Sequence, residues 1–190
     1  MRTITALTAT LLGWTMMAPA NAQQAVAAPS VDVATTMREA GHEASQAADA
    51  AHEAARLAMQ ASKAAVKHAS RESADRIRKL AADAEAAAKR SETRIADANR
   101  AAGTSVNASM QKAADAARHS VEATRLALQK ADDATEAYIH SDMTAIRQAA
   151  SGARASIVRA ATAASNAARA AREAARTTWD QNMVQTQLRN

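Results

Sequence analysis

The sequence has no cysteine and no phenylalanine, and it has only one tyrosine and two tryptophans among 190 residues. Without cysteine, the chain has no disulfide, no thiolate nucleophile, no cysteine metal ligand and no N-terminal cysteine for a lipid. Alanine fills nearly a third of the chain. Burial of apolar surface stabilises a fold by about 25 cal/mol per Å², and the small alanine side chain has little surface to bury. The composition therefore excludes a thick globular core and favours thin packing of helix against helix.

Helix-breaking residues are scarce as well. There are four glycines and two prolines, and both prolines precede residue 30. Because alanine is the best helix former, the sequence predicts an all-α protein with very long helix. No glycine-rich phosphate loop is present, and the scattered serines have no positioned base. We therefore expect no enzyme, no cofactor and no small-molecule substrate.

Two histidines begin a zinc-protease motif without completing it. His42 and His52 are each followed by glutamate, but the position four residues further on is Gln46 in one case and Arg56 in the other. Zinc binding needs a second histidine at that position. The sequence therefore predicts no metal site.

The N-terminus predicts a secretory signal peptide at residues 1–22. A positive start at Met1-Arg2 precedes a mostly apolar run, and Ala20-Asn21-Ala22 matches an Ala-x-Ala cleavage pattern. Because the apolar run is shorter than the roughly 20 residues that span a bilayer, an uncleaved anchor is the lesser alternative. We expect cleavage after Ala22 and a periplasmic or secreted protein.

The rest of the chain is predicted to have three parts. A flexible leader covers 23–35, a long helical coiled-coil region covers 36–180 with a basic end at about 147–180, and a frayed tail covers 181–190. The leader contains Pro29 and has no helical stripe. Asp32, Thr35 or Thr36 is suited to cap the helix that follows.

An 11-residue repeat (a hendecad) runs through the helical region to about Ala168. Three rows of small and aliphatic residues start at Ala40, Ala44 and Ala47 and recur at every eleventh position. The rows are four, three and four residues apart, so they form one stripe on a helix. Twelve of the sixteen large aliphatic residues between Ala40 and Ala168 lie on these rows, where chance would place about four. We expect this stripe to be the buried face and to end near Ala168, because arginines take its next positions.

The period of the repeat predicts one continuous helix. Eleven residues over three turns favour a straight or slightly right-handed coiled coil, about 200 Å long if unbroken. The phase passes unchanged from Ile95 through Val106 to Ala117, which argues against a loop between them. The alternative is an antiparallel hairpin that turns near Gly103. Candidate breaks are 103–107, 140–142 and 151–152.

A free rod cannot bury its own stripe, so the sequence predicts a partner helix. We expect a homo-oligomer that packs through the Ala/Ile/Val/Leu stripe. Asn99 and Asp132 fall on the stripe. They are predicted to be polar core positions that set the register or the number of helices.

Positive charge is concentrated towards the C-terminus. Residues 147–190 contain seven arginines and two carboxylates. Arg169, Arg172 and Arg176 share one helix face beside Trp179, which predicts contact with anionic lipid or an anionic envelope polymer. The alternative is a solvated helix end whose cations complement the helix dipole. Interleaved acids, the near absence of aromatic residues and the predicted export argue against a nucleic-acid partner.

Two stretches carry a compositional resemblance to known proteins. AADAAHEAARLAMQASKAA at 47–65 and ASNAARAAREAAR at 164–176 resemble the alanine-zipper lipoproteins of Gram-negative outer membranes, which implies a helical oligomer that spaces membrane from peptidoglycan. The chain has neither the lipidated cysteine nor the terminal lysine of those proteins, so the resemblance does not extend to their covalent tethers. The 11-residue period also resembles late-embryogenesis-abundant proteins and exchangeable apolipoproteins, which order on drying or on lipid.

The predicted function is that of a non-enzymatic, exported structural or scaffold coiled-coil protein of the cell envelope. The alternative is an amphipathic protectant or lipid-surface binder that orders on drying or on anionic membranes. The scaffold and the protectant differ in whether the stripe is buried by other helices in aqueous solution, before any drying or lipid binding.

Overall fold

The computed structural model describes residues 32–64, 71–140 and 143–189. These residues form four helices: α1 (Val33–Ala64), α2 (Arg71–Ala102), α3 (Ala108–His140) and α4 (Met143–Arg189). A short 3-10 turn at Gly103–Ser105 follows α2. The prediction of an all-α protein is confirmed. The predicted signal peptide and its cleavage after Ala22 lie outside the described residues.

The prediction of one continuous helix is wrong, and the chain turns at Gly103 as the hairpin alternative expected. Gly103 has a φ of 55°, a left-handed conformation that glycine adopts without the steric cost of a Cβ. After the turn, the side-chain Oδ1 of Asn107 accepts a hydrogen bond of 3.0 Å from the backbone N–H of Met110, which caps α3. Further helix ends lie at Ala64 and His140, whereas the candidate break at 151–152 lies inside α4.

The 11-residue spacing of the buried rows continues across the turn. In a hairpin, two residues that lie equally far before and after the centre of the turn face each other, so both can be buried in the same interface. Ile95 and Ala117 lie eleven residues before and after Val106. Both are buried in the same hydrophobic cluster, against which Val106 packs. An unbroken 11-residue spacing is therefore as compatible with a turn centred on a residue of the rows, such as Val106, as it is with a continuous helix.

The four helices form a bundle in which sequential neighbours are antiparallel. α1 packs against α2 and α4, and α3 packs against the same two helices. Ion pairs lie between neighbours, and two of them between α1 and α2 show that these helices are antiparallel, since one residue number falls as the other rises. The Ser109–Thr177 hydrogen bond and the Lys112–Glu173 ion pair show the same for α3 and α4. The ion pairs join Glu43 to Arg90 at 2.8 Å and Glu39 to Arg94 between α1 and α2, Arg78 to Asp132 at 2.7 Å between α2 and α3, and Lys112 to Glu173 at 3.1 Å between α3 and α4.

The predicted stripe is the buried face of the bundle. Among the described residues of the three rows between Ala40 and Ala168, Ile139 and Arg154 are the ones that are exposed. Apart from Met37, Ile95, Met110 and Ile157, the buried hydrophobic side chains of the described residues are all alanines. The core is therefore thin, as the composition required.

The buried face of α4 continues to Thr178, beyond the predicted end near Ala168. Ala171, Ala174 and Ala175 are buried, while Arg172 and Arg176 are exposed. An α-helix turns by about 100° per residue, so each 11-residue step rotates the row by about 20°. Over a long helix the residues of each row therefore rotate out of the core. The buried positions near the end of α4 are set by the 3.6-residue turn of the helix and no longer coincide with the rows.

Burial of the stripe within one chain removes the reason for which a partner helix was expected. A free rod needs a second chain to cover its stripe, whereas here the other three helices cover it. A homo-oligomer stays a prediction, but it now requires contacts through the outer surface of the bundle.

Both ends of the helical region differ from the predicted boundaries. The leader was expected to extend to residue 35, but α1 begins at Val33 because Asp32 caps it. The carboxylate Oδ1 of Asp32 accepts a hydrogen bond of 3.1 Å from the backbone N–H of Ala34. At the other end, residues 181–189 belong to α4, where Gln181 accepts a hydrogen bond of 3.1 Å from the Asn107 amide.

Replacing Asp32 with alanine is expected to lower the free energy of unfolding by about 1 kcal/mol at pH 7, because the N-cap is lost. Hydrogen bonds from the Thr35 hydroxyl and the Ala34 N–H lower the pKa of Asp32. A lowered pKa in the folded state stabilises the protein above the ordinary pKa of aspartate, near 3.9, and this stabilisation is lost as the pH falls through the lowered value. Thermal unfolding at pH 7 and pH 2 measures both effects.

The variant Asp32→Asn is the control for this cap. Asparagine keeps the acceptor without the charge, so its stability difference from Asp32→Ala should not depend on pH. An effect of Asp32→Ala that is equally large at pH 2 would contradict the role of the ionised cap.

Candidate anionic-surface site

The four residues predicted to contact an anionic surface lie together on α4. Arg169, Arg172, Arg176 and Trp179 are all exposed, and Trp179 is 53% exposed. The structure adds Arg38 from α1, whose guanidinium carbon lies 5.8 Å from the centroid of the Trp179 ring. This distance is within the range of a cation–π interaction. We call these five residues the basic cluster.

α1 approaches α4 closely at Gly41. A Cβ added to Gly41 would lie 3.3 Å from Cγ of Arg172 and 3.6 Å from Cβ of Ala171. The aliphatic stem of Arg172 therefore lies across α1, and its guanidinium donates a hydrogen bond to the Ser45 hydroxyl. The long side chain covers the helix interface while its charge stays at the surface.

The arginines of the basic cluster make no ion pair with a carboxylate among the residues that the structure describes. Arg38 donates a hydrogen bond of 3.3 Å to the Thr35 hydroxyl, and Arg169 donates to the Asn166 side chain. Their hydrogen-bond partners are neutral, although the pKa of Asp32 is lowered by the Thr35 hydrogen bond and also by the charge of Arg38.

Two of the four carboxylates of α1 are directed towards α2, while Glu53 pairs with Arg56 of α1 itself. Glu39 and Glu43 form ion pairs with Arg94 and Arg90 on α2. Of the two carboxylates of α4, Glu173 pairs with Lys112 of α3, and Asp180 follows Trp179. Glu39, Glu43 and Glu173 therefore pair with cations at the α1–α2 and α3–α4 interfaces and not with the arginines of the basic cluster.

The two predicted polar core positions lie in different surroundings. The Asp132 side chain is 47% exposed in its ion pair with Arg78, so it lies at the edge of the α2–α3 interface rather than in the core. Asn99 is half-buried, and its Oδ1 is buried without a hydrogen-bond partner in the described part of the chain. A role in setting the register stays a prediction for both residues.

A shallow groove between α3 and α4 has a volume of about 550 Å³. Its polar side chains are engaged within their own helices. Thr162 donates a hydrogen bond of 3.1 Å to the carbonyl of Val158, and His119 Nδ1 bonds the carbonyl of Asp115 at 2.8 Å. The groove is lined by Ala116, His119, Val158, Arg159, Thr162, Ala163 and Asn166.

The described residues contain no group of three His, Asp or Glu side chains placed to hold a metal ion. None of the described helices combines the length and the apolar character needed to cross a bilayer.

No protein-family model, curated protein or solved structure matches this chain. Sequence reasoning placed four members of the basic cluster by helical spacing, and it missed Arg38. No sequence signal pointed to Arg38, because only the packing of α1 on α4 brings it to Trp179.

Proposed function

We propose that the protein is an exported, non-enzymatic scaffold of the cell envelope, and that its bundle carries a basic site for an anionic envelope surface. The observation that carries the proposal is the basic cluster, in which four exposed arginines form no ion pair among the described residues and one of them, Arg38, lies over the exposed Trp179 ring. Arginine binds phosphate groups well because its guanidinium donates several hydrogen bonds in a fixed plane. Tryptophan is suited to the boundary between water and lipid.

The bundle supplies the structural part of the proposed function. Each of α1, α2 and α3 has about 32 residues, which corresponds to a length of about 48 Å. A bundle of that length holds its two ends apart, so the fold is suited to spacing or scaffolding.

The covered stripe supports this scaffold over a protectant that orders only on drying or on lipid. The rows are buried by helices of the same chain, so the driving force for folding is present in water. We expect circular dichroism in plain buffer to show high helicity and a cooperative thermal transition. A weakly helical chain that gains helix only with anionic vesicles would favour the protectant.

Replacing Arg169, Arg172 and Arg176 with glutamine is expected to weaken binding to phosphatidylglycerol vesicles on the order of 100-fold, because each basic residue near an anionic surface contributes about 1 kcal/mol. Vesicle sedimentation at low salt measures the binding. The full-length chain is used throughout, and vesicles of phosphatidylcholine serve as the uncharged reference, so contributions of the apolar N-terminal run are common to both.

The matched control removes three positive charges from α2 and α3. Arg76, Lys79 and Arg125 are exposed and lie away from the basic cluster. Their triple glutamine variant has the same net charge and should keep most of the binding. Equal losses in both triple variants would mean that net charge alone acts, and the proposed site would be refuted. Circular dichroism confirms that both variants are folded.

A further inference from the structure

The outer surface of α4 carries a basic stripe that extends well beyond the basic cluster. Arg147, Arg154, Arg169, Arg172 and Arg176 recur at helical spacing along one face of the helix. All five are exposed. From Arg147 to Arg176 the stripe covers 29 residues of helix rise, or about 44 Å. It therefore follows α4 for most of the length of the bundle.

No carboxylate lies on this stripe between Arg147 and Arg176, and Asp180 follows it beside Trp179. Between the arginines the exposed residues of this face are Ser151, Val158 and Thr162, whereas Ala161 is buried and Ser165 is half-buried. None of the five arginines forms an ion pair in the described part of the chain. Seven arginines and two carboxylates give α4 a net charge of +5, which equals the net charge of the whole chain. The first three helices are close to neutral, so the excess charge is carried by α4, and five of its seven arginines lie on this stripe.

Large apolar side chains share the same stripe. Val158 is 46% exposed, and Trp179 and Met183 continue the spacing at the C-terminal end, where they are 53% and 52% exposed. A linear polyanion would leave these apolar groups in water. A bilayer surface accepts both groups, because phosphates meet the arginines while apolar side chains enter the boundary between headgroups and acyl chains.

We infer that α4 docks side-on to an anionic phospholipid bilayer along its whole basic stripe. The inference rests on the proposed function and names its partner and orientation. It requires Arg147 and Arg154, which lie far from the basic cluster, to contact lipid phosphates at the same time as Arg169 and Arg172. In an end-on orientation Arg147 would be tens of ångströms from the surface, well beyond a screening length of about 8 Å at physiological salt.

Two double variants of the full-length chain test the orientation. Arg147→Gln with Arg154→Gln removes the far end of the stripe, and Arg169→Gln with Arg172→Gln removes the near end. Each pair is expected to weaken binding to phosphatidylglycerol vesicles about 30-fold in sedimentation assays, because two surface charges are lost. The matched control, Arg76→Gln with Lys79→Gln on α2, is expected to change binding less than 3-fold.

The outcomes separate this inference from the proposed function. A loss confined to the near-end pair would overturn side-on docking and leave the proposed site in place. Losses in neither pair would refute both. Retention of heparin or polyphosphate binding, together with no vesicle binding, would show that the partner is a soluble polyanion and would overturn the bilayer.

A fluorescent reporter gives a second test that does not depend on affinity. In a background with Trp14→Phe and Trp179→Phe, Val158→Trp reports on the middle of the stripe at excess vesicles. Side-on docking predicts strong quenching of this tryptophan by brominated phosphatidylglycerol. The control is Leu126→Trp on α3, which is 42% exposed and is expected to be quenched far less. Equal quenching at both sites, or none at residue 158, would contradict the orientation.

Discussion

Replacing Ala164 with aspartate is expected to abolish cooperative folding of the bundle. Ala164 is fully buried on α4 and belongs to a cluster with Ala47 and Ala48 of α1 and Ala87 and Ala88 of α2. The cluster consists of alanine methyl groups, so a buried carboxylate there has no side-chain hydrogen-bond donor. An uncompensated buried charge costs several kcal/mol, which is comparable with the total stability of about 5–15 kcal/mol of a typical domain.

Thermal unfolding followed by circular dichroism measures this effect, and Ala155→Asp is the matched control. Ala155 lies on the same helix and is exposed, so its substitution should cost only the difference in helix propensity, about 0.7 kcal/mol. A cooperative transition of Ala164→Asp close to that of the control would show that residue 164 faces water, and the helix arrangement would be wrong.

Introducing cysteine at both Ser109 and Thr177 is expected to give a single intrachain disulfide that stabilises the protein by about 4 kcal/mol, given the length of the closed loop. The hydroxyl oxygens of the two residues are 3.4 Å apart across the α3–α4 interface. Since the chain has no cysteine of its own, no native thiol competes. Mobility on non-reducing gels and the midpoint of denaturant unfolding, with and without reductant, measure the bond and its effect.

The control for the disulfide joins Ser109→Cys to Thr162→Cys on the same two helices. Thr162 is exposed and lies fifteen residues from Thr177, about 22 Å along the axis, so this pair should not close within one chain. A continuous rod would form disulfides only between chains. Dimers from Ser109→Cys with Thr177→Cys at low protein concentration would therefore contradict the bundle.

The basic cluster shows how far sequence reasoning reaches for a site. Arg169, Arg172 and Arg176 lie on one face of any helix with this sequence, because three- and four-residue spacing is a local property. Arg38 joins them because α1 packs against α4, with Gly41 close to Arg172. That contact involves residues more than a hundred positions apart in the chain, and no spacing rule predicts it.

The buried stripe was predictable for the same local reason. Alanine favours helix wherever it stands, and an apolar face has to be covered. Asp132 shows the limit, because its row position predicted a core residue. Its place near the edge of the α2–α3 interface, where Arg78 is within reach, depends on which helix lies beside it.

The sequence by itself determined the helical state of the chain, the residues that face inward and the basic face of α4, since all three follow from propensity and periodicity along a single helix. Only the tertiary structure decided that the stripe folds back on itself as four helices instead of continuing as a rod. The reason is physical. A stripe of small residues is covered equally well by a helix of another chain or by a later, antiparallel helix of the same chain. The 11-residue spacing does not distinguish the two, because it is the same on both sides of a turn centred on Val106. Which of the two arrangements forms depends on the turn at Gly103 and on contacts between distant segments.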